Sequence, residues 1–96
     1  MTADLVSAVH PRRVILFGSR ARGNATPESD FDQMVVEDHV ADRYQEMVRL
    51  RRLLRRFRVP LDLLVVTGAQ YDYWRDTPGN IYYEAAREGL TLYESA

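Results

Sequence analysis

Apolar positions recur along the chain in two rhythms. Residues 13–17 and 61–66 are near-continuous apolar runs, Arg-Val-Ile-Leu-Phe and Leu-Asp-Leu-Leu-Val-Val, the pattern of strands covered on both faces. Residues 30–36 predict another strand. Side chains alternate across a strand, so Asp30, Asp32, Met34 and Val36 share one face and Phe31, Gln33 and Val35 the other. Residues 40–57 instead carry apolar side chains at 40, 44, 47, 50, 54 and 57, the spacing of a helix. Shorter helices are predicted at 2–9, with Thr2 as cap, and at 70–75 and 81–88, the last stopped by Gly89 in a left-handed cap. Residues 18–23 read as a helical turn, 24–29 as a loop, Thr77-Pro78-Gly79 as a turn and 90–93 as a closing strand. Pro60 is tolerated because the first position of a strand need not donate a ladder bond. This alternation predicts an α/β (α+β) fold, a small mixed sheet with helices packed on it.

Ninety-six residues predict one domain, 1–96, burying roughly two-thirds of the unfolded chain's surface. Such a domain can hold a nucleotide but has little room for a pocket for a second substrate. The net charge of -1 provides no global basic excess, so direct nucleic-acid binding is disfavoured. Cysteine is absent, which excludes disulfides, zinc ribbons and thiol catalysis. The apolar runs are far shorter than a membrane span or a signal-peptide core, and a cytoplasmic protein is expected. All 13 basic residues are arginine. Walker A, kinase-type and Schiff-base lysine chemistry is therefore excluded, and phosphate must be held by arginine and backbone amides.

The candidate chemistry lies at three places. Gly18-Ser19 follows the first strand, the layout that turns backbone amides toward an anion, with Arg20 and Arg22 able to add charge to phosphates or to remain solvated loop residues. Asp30 and Asp32 project together, and two ionised carboxylates that close repel unless a cation sits between them. Asp62 stands alone in an apolar strand, where an acid is costly unless paired or bound to metal. Taken singly, the first is a turn and the second an acid-capped strand entry; their order along the chain points to metal-dependent phosphoryl transfer.

Phe17-Gly18-Ser19-Arg20-Ala21-Arg22-Gly23, then Ser29-Asp30-Phe31-Asp32, then Asp62 in a strand resembles the polymerase-beta-like nucleotidyltransferase superfamily, in particular its smallest members, the minimal nucleotidyltransferases (MNT). The closing Tyr83-Glu84-Ala85-Ala86-Arg87-Glu88-Gly89-Leu90-Thr91-Leu92-Tyr93 is similar to how those proteins finish. The resemblance implies that Gly18 and Ser19 hold the triphosphate of ATP and that Asp30, Asp32 and Asp62 hold two Mg2+ ions. Gln33 departs from the aliphatic residue usual after the second acid, which bears on packing more than on ligands. The two metals would clamp the triphosphate for in-line attack, Asp62 helping to activate the acceptor hydroxyl.

The resemblance further implies a toxin-antitoxin role in which AMP is transferred to a HEPN-domain toxin, on a hydroxyl such as a tyrosine. The alternatives are a catalytically silent antitoxin that masks its partner sterically, or transfer to a small molecule or RNA. Homo- or hetero-oligomers are both compatible with the sequence. Arg49, Arg51, Arg52, Arg55, Arg56 and Arg58 form either a solvated helix face or a surface for an acidic partner or RNA. Tyr71, Tyr73, Trp74, Tyr82 and Tyr83 are expected mostly in the core, with one or two at a partner interface. His10 and His39 have no partners at metal or triad spacing.

Overall fold

The computed structural model describes residues 1–95. Its order is α1 (Thr2–Val9), β1 (Arg13–Phe17), α2 (Ser19–Arg22), β2 (Phe31–Glu37), α3 (Arg43–Leu54), a 3-10 turn (Arg55–Phe57), β3 (Leu61–Thr67), α4 (Gly68–Trp74), α5 (Ile81–Glu88) and β4 (Leu90–Glu94). The strands form one sheet in the order β3-β2-β1-β4. β1 runs antiparallel to both β2 and β4, whereas β2 and β3 are parallel. Parallel neighbours cannot be joined by a tight turn and need a crossover; α3 supplies it.

The alternation of side chains splits the core into two layers. Val14, Val35, Leu63 and Val65 face Leu5 of α1 and Leu50 and Leu54 of α3. Ile15, Phe17, Met34, Val36 and Val66 face Tyr71 of α4 and Ala85 of α5. Burying a leucine such as Leu50 contributes about 1.5 to 3 kcal/mol, so these contacts hold each helix on its own side of the sheet. Gln33 takes an interior position on the α1 side, donating weakly to Met1 Sδ at 3.9 Å while its Oε1 has no partner. The packing question raised by this residue is real.

Several expected boundaries shift for local reasons. The long helix begins at Arg43 because the Asp42 carboxylate accepts the Gln45 N–H at 3.1 Å, ending the apolar periodicity's claim on 40–42. It tightens into the 3-10 turn after Leu54, and Arg58 takes a left-handed φ of 52° to redirect the chain into β3. At the other end of the chain, Met1 rather than Thr2 caps α1, with no side-chain bond. α4 begins earlier than expected, at Gly68, since Thr67 and Gln70 close a reciprocal capping box. Gly89 is extended, at φ −75° and ψ 160°, and not left-handed. It is needed for space instead: a Cβ there would strike the Ala85 carbonyl and the Ile15 side chain.

Of the clustered aromatics only Tyr71 is buried; Tyr73 and Trp74 are exposed and Tyr82 and Tyr83 half-buried. The arginine face divides. Arg49 pairs with Glu46, Arg56 with Asp4 and Arg51 with Asp62, whereas Arg52, Arg55 and Arg58 have no ion-pair partner among the described residues.

Glu37, at the end of β2, is buried and its Oε2 has no hydrogen-bond partner. Burial first, and then the hydrogen bond and charge of Glu46, push it from the ordinary 4.5 up to about 8, with Arg49 opposing. The native state then keeps a proton that the unfolded chain releases, so stability falls as pH rises from 4.5 toward about 8. The slope is at most about 1.4 kcal/mol per pH unit. Glu37→Gln preserves shape and should flatten that part of the profile, measured by urea unfolding across the window; an unchanged slope would show that Glu37 is ionised in the native protein.

Candidate functional site

Strand register brings together what the sequence separates. Asp32 lies opposite Phe17 on β1 and opposite Asp62 on β3, so the two acids stand on neighbouring strands at equivalent positions and on one face. Asp30 precedes β2 by one residue and lies outside the strand expected to contain it, exposed at its entry. Asp62 also differs from expectation. Its side chain is 60% exposed near the start of the edge strand β3, and Arg51 Nη2 approaches its Oδ1 at 3.9 Å. Exposure relieves the desolvation cost that made this acid conspicuous.

Gly18 joins β1 to α2 with φ 76°, a conformation that side chains with a Cβ avoid. A Cβ at this residue would also overlap the Asp32 carboxylate. The Gly18 carbonyl accepts the N–H groups of Ala21 and Arg22, both at 3.1 Å, which folds the chain back into α2 with Ser19 at its start. The result is a turn seated directly on the acid-bearing strand.

The two arginines of this turn diverge. Arg20 donates from Nε and Nη2 to the Ser29 carbonyl, at 3.2 and 2.9 Å, and its guanidinium stacks 4.0 Å from the Phe31 ring centroid. It thereby organises the loop that delivers Asp30. Arg22 instead reaches α5, with Nη1 at 2.9 Å from Glu84 Oε1 and 3.7 Å from Glu88 Oε2.

The electrostatics identify the centre. Asp32 is held above the usual 3.8, first by burial and then by the negative charges of Asp62, Asp30 and Glu84, with Arg22 pulling the other way. Four carboxylates and one guanidinium thus act on a common region. Among the described residues, no three His, Asp or Glu side chains converge closely enough to form a ready-made metal cage. The donor set nevertheless fits a hard divalent cation, which takes carboxylate oxygens and would relieve the repulsion on Asp32. Glu84 was missed by sequence reasoning. Its signal was available, since Glu84 and Glu88 are four apart in a helical segment and share one face. A groove of about 590 Å3 along α3, lined by residues including Val40, Tyr44 and Arg52, touches none of these groups; Asp30 and Asp62 are exposed and Asp32 is half-buried between them.

A mixed sheet with a glycine-serine turn set against acids on two adjacent strands has the layout of a nucleotide-handling α/β protein. Residues 3–90 match the family described as nucleotidyltransferase domain, and the chain belongs to that family. Two solved structures share the fold. One is a Sulfolobus solfataricus protein assigned as a nucleotidyltransferase, at 20% identity and TM-score 0.67, covering 97% of this chain and 73% of that one. The other is a structure described as a toxin-antitoxin with AMP-PNP, at 17% identity and TM-score 0.68, covering 98% of this chain and 71% of that one. No curated protein matches the sequence. The described residues include no helix long and apolar enough to cross a membrane.

Since its native value is raised, ionised Asp32 weighs against folding at neutral pH, and the burden disappears below about 3.8, where both states are protonated. Asp32→Asn should therefore melt at a higher temperature than wild type at pH 7 in metal-free buffer, with the difference vanishing near pH 3.5. Equal melting temperatures at pH 7 would mean that the acids around Asp32 do not burden the fold.

Proposed function

We propose that this chain transfers AMP from ATP to a hydroxyl, most simply a tyrosine, of a HEPN-domain toxin, acting as the antitoxin of a toxin-antitoxin pair. The observation that carries the reading is Asp32, placed between Asp30, Asp62 and the Gly18-Ser19 turn. Family membership supports nucleotidyl transfer, and the fold shared with a toxin-antitoxin structure supports the setting.

In this reading the triphosphate lies along the Gly18-Ser19 turn and within reach of Arg22. Arg20 acts less directly, holding the loop carbonyls that set Asp30 in place. Asp30, Asp32 and Asp62 would hold Mg2+, two ions in the full site, which when bound neutralise the carboxylates and the phosphate oxygens. The acceptor oxygen forms a bond to the α-phosphorus as the bond from that phosphorus to its bridging oxygen breaks. Pyrophosphate leaves, and the hydroxyl proton passes to solvent. Asp62, exposed on the edge strand, is open to an incoming hydroxyl and can accept its hydrogen bond. Because Asp30 and Asp62 are exposed, the acceptor must bring its own walls, which suits a folded protein better than a small molecule. AMP on the toxin would add negative charge and bulk where RNA phosphate must bind. Both proteins would act in the cytoplasm.

The test is intact-mass spectrometry of the cognate toxin after incubation with this protein, ATP and Mg2+. The toxin should gain one AMP and lose nuclease activity, and Asp30→Ala should abolish both effects. Inhibition by wild type and Asp30→Ala alike, with no mass gain, would establish instead a silent antitoxin that masks its partner sterically.

A further inference from the structure

We infer that Glu84 and Glu88 are positioning residues for nucleotide binding, acting through Arg22. This rests on Arg22 serving as a phosphate ligand in the reading above. Arg22 belongs to α2, a helix of four residues, too short to be stable by itself. Its side chain is correspondingly dependent on outside contacts. Those contacts are the two glutamates, one turn apart on α5, which grip Nη1 at 2.9 and 3.7 Å. The helix carrying them is firmly seated, since Ala85 beside Glu84 is buried against the sheet together with Ile15 and Phe17.

The grip is one-sided. Arg22 Nη2 and Nε have no hydrogen-bond partner among the described residues, and a guanidinium has five N–H groups in a fixed fork. Holding Nη1 leaves the remaining donors oriented and available for phosphate oxygens. Without the glutamates the side chain would sample many rotamers, and binding would have to order it each time. All three side chains are 39 to 51% exposed, so the pairs should matter little to global stability.

Titration calorimetry with Mg2+ and AMP-PNP distinguishes the possibilities. Replacing both glutamates, Glu84→Ala with Glu88→Ala, should weaken binding about three- to fivefold, with a melting temperature close to wild type. Glu84→Gln, which keeps an acceptor for Nη1 and guards against a misfolded double variant, should retain most of the affinity. In an Arg22→Ala background the glutamate replacements should cause no further loss, because nothing remains to position. Unchanged or tighter binding by the Glu84→Ala, Glu88→Ala protein would overturn the inference, as would an equal loss with and without Arg22. A wild-type protein with no affinity for the nucleotide would overturn the nucleotidyltransferase reading and this inference together.

Discussion

The parallel pairing of β2 with β3 is the constraint on which the rest of the structure depends. It sets Asp32 directly across from Asp62, residues thirty positions apart in the chain. It also requires a crossover, and α3 meets that need by burying Leu50 and Leu54 on one face of the sheet. With that face occupied, α4 and α5 cover the other, where the acids project. The register is strongly specified because a slip of one residue would move Leu63 and Val65 out of the layer under α1 and α3 and carry Asp62 into it.

The second organising feature is concentrated charge held in a tolerable arrangement. Aspartate and glutamate side chains from β3, α5 and the loop before β2 all weigh on Asp32. Arg22 compensates only in part. Gly18 adds a backbone requirement, since its positive φ and missing Cβ bring the turn against the Asp32 carboxylate. A protein that needed stability alone would have little reason to keep three carboxylates around Asp32; in the proposed function the cluster serves a cation and an anionic ligand. Glu37 and Glu46 form a separate carboxyl pair at the opposite end of β2, linked to Arg49.

Differences between sequence expectation and structure come mostly from contacts that no local pattern contains. Asp62 looked costly because its neighbours are leucine and valine, yet it stands exposed near the start of β3, ahead of the stretch that both helical layers cover. The tyrosines looked like core because aromatic residues bury well, yet the short α4 has one face toward the sheet and only Tyr71 occupies it. Gly89 suggested a left-handed cap by its place after a helix, whereas its actual role is to let α5 and β1 approach.

Sequence alone determined the two rhythms of strand and helix, the absence of cysteine and lysine chemistry, and the glycine-serine turn and three acids that mark the candidate site. These were legible because periodicity and residue chemistry are local properties. Tertiary structure alone decided that Asp32 faces Asp62, that Asp30 stands outside the strand, that Arg20 serves the loop while Arg22 turns to α5, and that Glu84 joins the acids. Each of those is a juxtaposition of residues distant along the chain, set by strand register and by which helix covers which face of the sheet, and no window of neighbouring residues carries that information.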